Sequence, residues 1–128
     1  MKDTTITVEN MSQLVSNTFK ECLFKEGEDT SNYVIGEGIK NNFGFNPQRL
    51  EQHRELVTAI LNELPDDFKK GYTFLGICVN KDGKLWTGEH RVCEQLVAMA
   101  NALGLMSYCF PRTVWGVLPQ RLPYVQIN

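Results

Sequence analysis

No apolar run in this 128-residue sequence approaches the roughly 18 residues that a membrane-spanning helix needs. The opening stretch, Met1-Lys2-Asp3-Thr4-Thr5-Ile6-Thr7, is polar and has no apolar centre of the signal-peptide kind. Basic residues are not in excess. Thirteen Lys and Arg face fifteen Asp and Glu, a net charge of −2, which argues against the cationic footprint of a nucleic-acid binder. Histidine is scarce, with two in all, so a metal site built of histidine alone is excluded. No two cysteines stand two residues apart, and no phosphate-binding P-loop, serine elbow or paired-carboxylate motif is present. These absences predict a cytoplasmic chain with neither membrane nor nucleic acid among its partners, and with no cofactor or bound metal.

With 42% hydrophobic and 22% charged residues, the composition is that of an ordinary globular chain. Residues 1–128 are long enough for one domain, and a domain of this size buries roughly two-thirds of its unfolded surface. Cys22, Cys78, Cys93 and Cys109 each fall within an apolar pattern, which predicts buried, reduced thiols. Charge is uneven along the chain. Residues 1–70 hold eight basic and twelve acidic side chains, whereas residues 71–128 hold five and three. The front half therefore offers an acidic surface, with Glu26, Glu28, Asp29, Asp66 and Asp67 placed to steer a basic partner.

Met11, Leu14, Val15, Phe19, Cys22 and Leu23 follow a helical stripe, with Asn10 as its expected N-cap. Residues 1–9 read as a brief edge strand or a loose end. Tyr33-Val34-Ile35 reads as a strand, and Asn41-Asn42-Phe43-Gly44-Phe45 as a turn. Asn46-Pro47 opens a second helix that carries Leu50, His53, Val57, Ile60, Leu61 and Leu64 on one face and stops at Pro65. The apolar run over 72–79 predicts a central strand. Asn80-Lys81-Asp82-Gly83 predicts a hairpin turn, and Lys84-Leu85-Trp86 the returning strand. Thr87 is the expected cap of a third helix ending at Gly104. Leu105 to Phe110 and Tyr124 to Ile127 complete the strands. The expected fold is a single α+β domain, a mostly antiparallel sheet of about four to five strands packed against three helices.

The densest cluster of reactive side chains is Thr87-Gly88-Glu89-His90-Arg91-Val92-Cys93, at a helix start where exposed amides favour anions. His90 and Cys93 stand three apart, on one helix face. They read either as two metal ligands, as a Cys–His nucleophilic pair, or as a buried histidine beside a structural cysteine. The zinc-deaminase signature does not fit, because Glu89 precedes His90 and no close cysteine pair follows. His53 reads as a core or core-edge histidine. The competing reading sets it across a cleft from His90 or Glu89 as acid and base. Gly36-Glu37-Gly38 lacks the third glycine of a dinucleotide fingerprint.

The last segment concentrates Tyr108, Phe110, Arg112, Trp115, Arg121 and Tyr124 among three prolines. Aromatics and arginine are the types enriched at binding hot spots, so Tyr108, Arg112, Trp115, Arg121 and Tyr124 are the candidate binding residues. The same aromatics also suit a cover closing the core, or a pocket stacking a nucleotide-like ligand.

The run from Asn42-Phe43-Gly44-Phe45-Asn46-Pro47 through Trp86-Thr87-Gly88 and His90 to Pro111-Arg112, Trp115 and Leu118-Pro119 resembles small uncharacterised proteins of bacteria and their mobile elements. The resemblance spans about residues 35–125. It implies no activity and carries over no catalytic residue.

Two functions follow from these features. The first is a non-catalytic binding protein that neutralises a protein partner, in the manner of an immunity protein or a phage or mobile-element inhibitor. The second is a small enzyme or nucleotide-like ligand-binding protein using His90, Glu89, Cys93 and His53 with the C-terminal arginines and aromatics.

Overall fold

The computed structural model describes residues 5–38, 41–69 and 79–106. Helix α1, Val8–Cys22, begins with a reciprocal cap: the Asn10 amide donates to the Thr7 hydroxyl, and the Thr7 amide donates to the Asn10 side chain. The cap is therefore Thr7 rather than Asn10, and Val8 is already helical instead of lying in an edge strand. Met11, Val15, Phe19 and Cys22 recur at steps of three and four and are buried.

After Cys22 the chain turns through an exposed loop into β1, Val34–Glu37, which pairs antiparallel with β2, Asn42–Phe45. Val34 stands opposite Phe45 and Glu37 opposite Asn42. Phe43 and Phe45 each meet the ring of Phe19 edge to face, at 5.0 and 5.6 Å between centroids, which fastens the hairpin to α1. Asn46 then caps α2, Pro47–Gln52, by accepting from the amides of Gln48 and Arg49, with proline at the start of the helix as expected. Helix α3, Arg54–Asn62, continues the same apolar face, and the short α4, Asp66–Lys69, follows Pro65.

The hairpin turn at 80–83 is as expected: Gly83 adopts φ +83° and its amide donates to the Asn80 carbonyl. The buried Asn80 holds the turn from inside, its side chain accepting from the amides of Asp82 and Lys84. Helix α5, His90–Ala102, ends in a Schellman motif at Gly104, φ +76°, where the Leu105 amide reaches the Ala100 carbonyl and the Gly104 amide that of Asn101.

Helix α5 is the centre of the described residues. Val92, Cys93 and the run Gln95 to Ala100 are all buried, so the middle of the helix is enclosed on every side, while His90 and Arg91 at its start are exposed. Strand β1 lies on it, with α1 and α3 against other faces. A Cβ at Gly36 would sit 2.1 Å from the Ala98 carbonyl oxygen, and one at Gly38 would sit 3.2 Å from Glu94 Cβ. Ala98 and Glu94 are one turn apart, so the two glycines lay the strand backbone directly on the helix. Gly36-Glu37-Gly38 is thus a packing device.

This arrangement corrects the expected fold. The domain is α+β only in the broad sense: the described residues hold five helices and one two-stranded antiparallel sheet, not three helices under four to five strands. The expected second helix is divided at His53. The segment read as a turn at 41–45 is strand β2, because the alternation of Phe43 and Phe45 outweighs its asparagines. Lys84-Leu85-Trp86 contributes a single bridge, Val79 to Leu85. Leu105 and Met106 follow the helix stop without forming a strand. The expected strands over 72–78, 107–110 and 124–127 lie outside the described residues, as do Cys78 and Cys109. Among the described residues no helix is long and apolar enough to cross a membrane.

Candidate functional site

The cluster at the start of α5 does not converge. Glu89 occupies the N-cap position without capping by its side chain. Its carboxylate instead pairs with Arg91 at 2.9 Å, both side chains exposed. His90, the first helical residue, is exposed, which corrects the expectation of a buried histidine. Cys93 is fully buried. The three residues expected to act together therefore divide between solvent and core. Thr87 accepts from the Glu89 amide at 3.1 Å, so it orders the approach to the helix, which starts at His90. Among the described residues no three of His, Cys, Asp and Glu are placed to hold one metal ion.

A groove of about 340 Å³ runs between this turn and α1, lined by Ser12, Gln13, Ser16, Thr87, Gly88, Glu89, Arg91 and Val92. Ser12 donates to the Trp86 carbonyl at 2.7 Å, and Ser16 to Oε1 of the buried Gln95 at 3.2 Å. These bonds tie α1 to the start of α5. The Trp86 indole N–H is buried and has no partner among the described residues.

His53 is half-buried at the junction of α2 and α3. Its amide donates to Leu50 and its carbonyl accepts from Val57. It serves as a core-edge residue where one helix axis gives way to the next. Glu37, in β1, is the described carboxyl most altered by burial, which pushes it up to about 7.

A second surface is organised by Arg49, which sequence reasoning did not single out. Its guanidinium donates to the Glu21 carbonyl at 2.6 Å, to the Leu23 carbonyl at 2.7 Å, and to both oxygens of Glu28 at 2.5 and 2.8 Å. Glu28 also accepts from the Lys25 amide. The Arg49 bonds, with this amide, hold the Glu28 carboxyl at about 2. The guanidinium thus closes the end of α1, whose last carbonyls lack helical partners, and fixes the loop that follows. Phe24 and the exposed Tyr33 meet edge to face on this loop. Beside them a groove of about 390 Å³ is lined by Phe24, Glu28, Asp29, Asn32, Asn46, Pro47 and Gln48. Asp29 and Glu26 are exposed, whereas Glu28 is committed to Arg49 and is not a loose steering charge.

Arg49 and Glu28 are 21 residues apart in no recognisable motif, so spacing gives no signal for their meeting. The candidate binding residues Tyr108, Arg112, Trp115, Arg121 and Tyr124 lie outside the described residues. Compared with models of known families, with curated proteins and with solved structures, the chain matches none.

Proposed function

We propose that this chain is a non-catalytic cytoplasmic binding protein that neutralises a protein partner, as an immunity protein or a phage or mobile-element inhibitor does. The observation that carries this reading is the Arg49-pinned loop, which presents Tyr33 and Phe24 beside the exposed carboxylates of Glu26 and Asp29. A loop already fixed in shape avoids the ordering cost of association, about 0.5–1.5 kcal/mol for each side chain that would otherwise be immobilised. An aromatic pair on a loop that also carries exposed carboxylates suits a partner with basic residues. The division of Glu89, His90 and Cys93 between solvent and core weighs against the enzymatic alternative. Tyr108, Arg112, Trp115, Arg121 and Tyr124 complete the proposed contact set on their residue types alone.

The test is affinity capture with the whole chain as bait in an extract of its source cells, read by mass spectrometry for proteins and small molecules together. The proposal expects one protein recovered in near-equal amount to the bait. A nucleotide or other small molecule recovered without any protein would replace it with the ligand-binding alternative.

A further inference from the structure

We draw no further inference here: the strongest candidate, the groove between α1 and the first turn of α5 lined by Ser12, Ser16, Thr87 and Arg91, rests on a helix N-terminus with no second feature that points to a ligand.

Discussion

Arg49 grips Glu28 with two parallel bonds while the same guanidinium holds the carbonyls of Glu21 and Leu23, so one side chain joins α2, the end of α1 and the loop beyond it. The planar fork makes this possible. A lysine at the position keeps the charge and cannot reach four acceptors in that geometry. In the parent, the Glu28 carboxyl titrates at about 2; in Arg49→Lys it moves up toward its ordinary 4.5, followed by carboxyl NMR. Because the folded value is depressed, the pair supports folding fully above about 4.5, and that support is lost as pH falls through about 2. An unchanged Glu28 titration in the variant would remove Arg49 as the organiser of the loop.

Gly36 tests the strand-on-helix contact. A methyl group there meets the Ala98 carbonyl oxygen at 2.1 Å, so Gly36→Ala forces β1 off α5. The expected destabilisation is about 1–3 kcal/mol or more by denaturant unfolding. Gly88→Ala is the control, since nothing lies within 4 Å of that position, and its change stays within about 0.5 kcal/mol. Equal stability of Gly36→Ala and the parent would contradict the contact.

The helices were legible in the sequence wherever a stripe and a cap coincided. Asn46-Pro47 and Gly104 mark their ends because each satisfies or dispenses with particular backbone groups. The break at His53 carries no glycine or proline to announce it. In helix α5 the burial of Gln95 and Ala98 beside Leu96 is not legible in the sequence, since a small or hydrogen-bonded side chain enters a core without an apolar signal. The pairing of Asn42–Phe45 with β1 depends on Phe19, more than 20 residues earlier, and local turn propensity conceals it. Of the candidate site, Cys93 was legible as buried. The exposure of His90 was not, because it follows from where the helix begins.

Burial pushes the Cys22 thiol up to about 11, and its side chain has no exposed surface. Little thiolate is present at pH 8, and the reagent has no path to it. Iodoacetamide labelling resolved by peptide mass spectrometry should leave Cys22 and the equally buried Cys93 unmodified in the native chain and label both in denaturant. Native labelling of Cys22 at the rate of a small thiol would contradict its placement in the core.

Glu37 sets a pH dependence of the opposite sense to Glu28. Its folded value, about 7, lies above the ordinary 4.5, so the folded state binds the extra proton between those values. Its contribution is most favourable below about 4.5 and declines as pH rises to about 7, then levels off. Glu37→Gln should flatten the stability profile in that window, measured by urea unfolding at pH 5 and pH 7.5. A profile of unchanged slope would show that Glu37 is well solvated.

A protein-binding face built on the Arg49-held loop predicts different behaviour for Tyr33→Arg and Leu85→Arg when the two variants serve as baits in quantitative capture. Both residues are large, apolar and exposed, at 47% and 64%, so either substitution is tolerated by the fold. The predicted result is a partner retained by the parent and by Leu85→Arg but reduced at least tenfold with Tyr33→Arg, a loss of about 1.4 kcal/mol or more. Equal recovery by all three baits would contradict the claim.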